Sequence, residues 1–138
     1  MIGDCARADM LTALLADRAL TATELAGIAG VTKQTASAHL AKLLDAGLIV
    51  VEHQGRITGY TTGIAFFAHT VCRTNGDLQA LIGAATGFGG PGFLLPTRNH
   101  EVFAWCLANG LRVVSPMTLM TIGLYNEPAG AWMPSVLY

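Results

Sequence analysis

Charge is scarce in this sequence. Asp, Glu, Lys and Arg make up 12% of its 138 residues, and 8 basic against 9 acidic side chains leave a formal net charge of −1. That balance excludes a globally basic polyanion binder, so a nucleic-acid site has to be a local patch. Cysteine is scarce as well. Cys5, Cys72 and Cys106 are odd in number and contain no Cys-x-x-Cys pair, which points to reduced thiols and a cytoplasmic setting. No long unbroken apolar run is present. The longest stretch without a charged residue, 78–97, holds Gly83, Gly87, Gly89, Gly90, Pro91, Gly92 and Pro96. These would break a lipid-exposed helix, and no membrane span is expected. The N-terminus, MIGDCARADM, is charged and lacks the apolar region of a signal peptide. Apolar side chains are abundant, at 52% of the chain, which excludes a disordered or low-complexity polypeptide.

The few charges are spread unevenly. Residues 1–60 carry 11 of them and residues 61–138 carry 6: Arg73, Asp77, Arg98, Glu101, Arg112 and Glu127. The length suits one domain, or one small domain with a further segment. Composition and punctuation divide the chain into an N-terminal module, 1–61, a linker with room for a short dimerisation helix, 62–92, and a C-terminal fragment, 93–138.

In the first module, Asp4 can cap a helix beginning at Cys5, with Met10, Leu11, Leu14 and Leu15 as its apolar stripe. Thr21-x-x-Glu24 is a capping box, in which Thr meets the third helical amide and Glu reaches back to the cap. It opens a helix over 22–29 with Leu25 and Ile28 inward. Gly30 follows where a left-handed residue is wanted, and Val31 plugs the turn. Thr32 caps a second helix, 33–46, whose inward stripe is Ala36, Leu40, Leu43 and Leu44, and Gly47 ends it. Two helices joined by a short Gly-containing turn are the helix-turn-helix arrangement. The polar face of the second helix, Lys33, Gln34, Thr35, Ser37 and His39, is the part that meets base edges in the major groove in this motif. Gln and Lys suit adenine and guanine, and Thr suits a thymine methyl. Thr32 and the helix N-terminus can receive a phosphate. The β-prone run 48–52, the turn 53–56 and a second strand 57–61 form a hairpin, a wing, with Gln54 and Arg56 at its tip for phosphate or minor-groove contact. Phosphate neutralisation rests on Lys33, Lys42, Arg56 and Arg18, few enough to predict a shallow salt dependence. The fold class expected is α+β, with three helices and a two-stranded wing followed by a small irregular α/β segment.

The run LTATELAGIAGVTKQTASAHLAKLLDAGLIVVEHQGR, residues 20–56, resembles the winged helix-turn-helix of ArsR-type bacterial repressors. The likeness is carried by Glu24-Leu25-Ala26 in the first helix, Ala29-Gly30-Val31 in the turn and Thr32-x-Gln34-Thr35-x-Ser37-x-His39-Leu40 in the second helix. Ala46-Gly47-Leu48-Ile49 at the exit and Gly55-Arg56 at the wing tip complete it. The resemblance implies a homodimer that binds operator DNA and is released by an inducer. Metal-sensing members carry a Cys-rich motif beside the first helix of the pair. Residues 24–31, ELAGIAGV, hold neither Cys nor His, so no metal or cofactor is expected. His69-x-x-Cys72 is the remaining candidate pair. It shares one face if that segment is helical, but two ligands with no acidic neighbour are too few for zinc. Cys5 and Cys72 would make a thiol switch if the first helix packs on that segment, so a small-molecule or redox effector stays open.

Beyond the wing, Asp77 caps a helix over 78–85. Residues 87–92, GFGGPG, lack the Lys-Ser/Thr or preceding strand of phosphate-cradling loops and read as a linker. Residues 93–95 form a short strand, and Asn99 caps a helix over 100–109 that Gly110 ends. Residues 111–114 and 117–122 are strand-like, 126–130 a turn and 131–138 an apolar tail. The runs PTRNHEVFAWCLANGLRVV and MTLMTIG, with the terminal W-x-P-S-V-L-Y, resemble the C-terminal end of a GNAT acetyltransferase. Of that family's acetyl-CoA loop, Ala84-x-x-Gly87-x-Gly89 keeps the glycines without the Arg or Gln, and Pro91 follows where a helix should begin. No Ser/His/Asp or paired-carboxylate constellation offers another enzyme, and no catalysis is expected. The function expected is a sequence-specific DNA-binding repressor. The alternatives are a non-catalytic acetyltransferase-like ligand-binding module with a helical appendage, or a chimeric or truncated chain.

Overall fold

The structure is a computed structural model whose described residues are 6, 9–10, 12–13, 20–45, 47–125 and 127–136. The side chains of Lys42, Leu44 and Asp45 lie outside that description. Ala6, Asp9, Met10, Thr12 and Ala13 are helical, and Met10 is fully buried. The Asp4 cap, Cys5, Leu11, Leu14 and Leu15 lie outside the described residues.

The helix pair forms as the caps dictate. The Thr21 hydroxyl accepts from Glu24 N (3.2 Å) and the Glu24 carboxylate accepts from Thr21 N (2.7 Å), opening α1 (Ala22–Ile28). Leu25 and Ala26 are buried, but Ile28, expected inward, is 52% exposed. In a helix this short the inward stripe is Leu25, Ala26 and Ala29, and Ile28 falls on its flank. Helix α2 (Lys33–Asp45) buries Ala36 and packs Leu40 and Leu43 on the same core. Strands β1 (Ile49–His53) and β2 (Arg56–Thr61) follow. They are joined through Gln54 and Gly55, both at positive φ (52° and 76°). That two-residue turn matches the right-handed twist of the strands, and glycine supplies its second left-handed position. Leu20 bridges Ile57, so the chain just before α1 is stitched to the wing.

The wing does not stop at two strands. β3 (Thr70–Cys72) pairs with β2, and β4 (Ala131–Met133) pairs with β3, giving an antiparallel sheet in the order β1-β2-β3-β4. β4 is the start of the run, 131–138, that looks like an apolar tail in the sequence. Strand alternation then sends side chains into two cores on opposite faces. Val50, Tyr60, Val71 and Trp132 pack with Met10, Leu20, Leu25 and Ala36 under the helix pair. Val51, Cys72, Ala131 and Met133 pack with Ile64, Leu78, Leu81, Ile82 and Val102 under α3 (Asn75–Ala84) and α4 (His100–Ala108). The sheet is therefore a middle layer shared by all three sequence segments.

Helix α3 starts at Asn75 rather than Leu78. Thr74 is its cap, and Asp77, read from sequence as the cap, is the third residue of a capping box. Helix α4 is capped by Asn99 as expected, with Val102 N donating to its side chain (3.4 Å). The strands expected at 93–95, 111–114 and 117–122 do not form. Phe93 and Leu95 pack on the second core without a ladder partner, and Pro96 ends the run. Pro116 splits the 111–122 run, and the sheet position beside β3 is taken by β4. Val114, Met120 and Ile122 are left exposed, Met120 at 85%. In 87–92, Gly89 N donates to Ile64 O (3.1 Å) and Phe66 N donates to Gly89 O (3.3 Å), which docks this glycine-rich run on the loop between β2 and β3. Among the described residues, no helix is long and apolar enough to cross a membrane.

Candidate nucleic-acid interface

Helix α2 presents Lys33, Gln34, Thr35 and Ser37 to solvent, beginning from an exposed Thr32. The Thr32 hydroxyl accepts from Thr35 N (3.1 Å) and shares a hydrogen bond with the Thr35 hydroxyl (2.8 Å). Both hydroxyls are thus used by the cap, and phosphate at this end would meet mainly backbone N–H groups. His39 is not on the polar face. It is 9% exposed, because it follows Ala36 by three residues and precedes Leu43 by four, inside the apolar stripe. Among the described residues its Nδ1 has no hydrogen-bond partner. The outward row is instead Gln34, Ser37, Ala38 and Ala41, all exposed. Nothing in the motif singles out Ala38 and Ala41. The i+4 step from Gln34 and Ser37 is the signal that finds them. Their methyls keep this face of the helix slim and suit contact with a thymine methyl. The Lys42 side chain and Arg18 lie outside the described residues.

At the wing, Gln54 is exposed at the tip. Arg56 Nη2 donates to both Glu24 carboxylate oxygens (3.1 and 3.2 Å). Glu24 therefore has two jobs, capping α1 and tethering the wing. Hydrogen bonds from the Thr21 backbone and then its side chain, followed by the Arg56 charge, hold the Glu24 carboxyl below its ordinary value. The two residues are 32 apart in sequence, and no local signal announces the pair. A DNA phosphate at Arg56 has to share it with, or take it from, a carboxylate.

The base of the wing is fixed from the other side. His53 Nε2 donates to Asp77 Oδ1 (2.9 Å), and the Thr58 hydroxyl donates to the same oxygen (3.1 Å). The other oxygen, Oδ2, accepts from Thr74 N (3.2 Å) and the Thr74 hydroxyl (2.8 Å). Asp77 is 2% exposed, so this buried carboxylate locks α3 to both wing strands. His69 and Cys72 do not share a helix face. Cys72 is in β3 and His69 just precedes it, so the i, i+3 spacing sends them to opposite sides. Among the described residues, no group of three or more His, Cys, Asp or Glu could hold a metal ion. His69 meets Tyr60 edge-on (5.5 Å), and burial lowers its pKa. Burial, and then the Asp77 charge, push the Cys72 thiol up to about 12, which keeps it protonated and unreactive in the fold. Cys5, the expected partner in a thiol switch, lies outside the described residues.

Comparison with known proteins agrees with this geometry over the N-terminal part. Residues 2–52 match a family model described as a helix-turn-helix domain. A 56-residue stretch, 41% of this chain, is 46% identical to a protein of Bacillus subtilis (strain 168) named as an uncharacterized HTH-type transcriptional regulator, YdfF. The match covers 25% of that relative, so the chain spans about a quarter of its length. No solved structure matches the chain. The N-terminal region is thus a helix-turn-helix with a wing.

Proposed function

We propose that the chain is a sequence-specific DNA-binding transcriptional regulator of ArsR type, acting as a repressor and binding operator DNA as a homodimer. The observation that carries this reading is the exposed row Gln34, Ser37, Ala38 and Ala41 on α2. In a helix-turn-helix this end of the second helix enters the major groove. Gln34 reads an adenine edge, the two alanines meet thymine methyls, and Lys33 takes a guanine edge or a phosphate. The tethered wing lays Gln54 and Arg56 against the adjacent backbone. With Arg56 shared by Glu24, few phosphates are neutralised per copy, and affinity falls only shallowly with salt. The ArsR-like motif in residues 20–56 supports the subtype and the homodimer. The reading gives the chain no catalytic step and no resident cofactor.

The test is a gel-shift titration with the duplex upstream of the chain's own gene, against random duplex of equal length. Specific retention is expected, weakened by about tenfold or more in Gln34→Ala, since a bidentate base contact is worth about 1–3 kcal/mol. Equal retention of both duplexes at low salt would overturn the reading. Sedimentation with and without duplex checks the homodimer.

A further inference from the structure

The N-terminal ends of α3 and α4 and the start of β4 border an open groove of about 420 Å³, remote in sequence from the reading helix. Small-molecule sites run from about 300 to 1,000 Å³. Arg73, Asn75, Arg98, Asn99, Glu101 and Trp132 contribute to its walls. Gly130 also lines it, and a Cβ there would run into the Cys72 carbonyl group of β3, so glycine is required where the groove meets the sheet.

The charges of the groove are only half satisfied. Arg98 pairs with Glu127, and its guanidinium carbon lies 5.7 Å from the Trp132 ring centroid. Glu101 Oε2 accepts from Asn75 Nδ2 (2.8 Å), and Asn75 Oδ1 accepts from Asn99 Nδ2 (2.9 Å), so an amide chain fixes the Glu101 carboxylate. Among the described residues, Glu101 Oε1 and the Arg73 guanidinium have no side-chain partner, and the two residues form no ion pair with each other. A guanidinium and a carboxylate thus share one groove without meeting. A simple anion on Arg73 would face the Glu101 charge, and a simple cation on Glu101 would face Arg73. A ligand carrying both charges satisfies both residues at once.

We infer that this groove binds a free α-amino acid. The ligand carboxylate lies on the Arg73 fork, its ammonium donates to Glu101 Oε1, and a small apolar side chain lies along Pro96 and Ala129. The site stands apart from DNA binding, so its test needs no DNA. Calorimetric titration of the full chain uses L-alanine, L-leucine and L-phenylalanine as separate probes. At least one is expected to give saturable heat. For the tightest of them, the deaminated acid and the decarboxylated amine should each bind at least about tenfold more weakly. Arg73→Ala and Glu101→Gln, with unchanged circular dichroism, should each weaken it by a similar factor. The inference is overturned by the absence of saturable heat for all three probes up to about 10 mM. Equal affinity for the deaminated acid, which would mark a plain anion site, also overturns it, as does unchanged affinity in both variants.

Discussion

The two faces of the sheet are covered in different ways. One carries α1 and α2, neighbours in the chain, with the earlier helical residues around Met10. The other carries α3 and α4, and its core joins Ile64, Val102 and Met133, residues drawn from the length of the second half. The first cover presents exposed polar side chains outward on a helix. The second holds the base of the wing through Asp77 and leaves a groove between helix ends. The same strands serve both, Val71 facing one core and Cys72 the other. A wing that would be a lone hairpin is extended by β3 and β4, and the base of the hairpin is packed from both faces while its tip stays exposed.

The strongest way to break this comparison is to empty one core at a time. Leu25 and Leu78 are each fully buried, one on each face. Leu25→Ala and Leu78→Ala should each cost about 4 kcal/mol, since both leave a cavity in a packed core. If the sheet is a shared layer, urea melts of both variants show one transition with a lower midpoint. Two separated transitions would divide the molecule into independent halves. Next comes Gly130→Ala, which forces β4 away from β3 and should cost about 3 kcal/mol. Amide exchange should quicken at 131–133 and 70–72 together.

Asp77→Ala removes acceptors from Thr74, Thr58 and His53 and should cost about 2 kcal/mol. Its signature is loosening of both α3 and the wing, visible as chemical-shift changes at His53. A smaller effect belongs to pH. His69 has a pKa lowered by burial, so the unfolded chain takes up its proton first. Its contribution is complete above the ordinary value of 6.5 and is lost as pH falls through it. Urea midpoints between about pH 7.5 and 5.5 should drop, and His69→Gln should flatten the drop. The smallest effect is the Glu24 tether. Its lowered pKa makes its contribution present above 4.5 and lost as pH falls below that value. The difference between wild type and Glu24→Gln should vanish in acid.

Much of the first face can be read in the sequence because its signals are local. Thr21 with Glu24, Thr32, and the stripe Ala36, Leu40, Leu43 fix the helix pair within a few residues of each signal. His39 escapes that reading because its side chain is polar while its helical position is not. The second face is obscure because its defining contacts are distant. β4 pairs with residues about sixty positions earlier, and three residues flanked by Gly and Pro carry no strand signature strong enough to announce it. The run 111–122 has the better strand composition and forms none, since a strand needs a free partner and a proline interrupts it. Asp77 is visible as a capping residue, but its grip on His53 and Thr58 follows from tertiary placement alone. Ala38 and Ala41 show the opposite case, legible once helical spacing is applied to the polar row.

The central claim is that α2 reads DNA sequence through its exposed row. Selection of bound duplexes from a randomised pool tests it most directly. The account predicts a recurrent motif after a few rounds, in which Gln34→Ala relaxes the preference at one adenine position and leaves the others intact. A pool that stays random after repeated selection at low salt, with the protein folded, would contradict it.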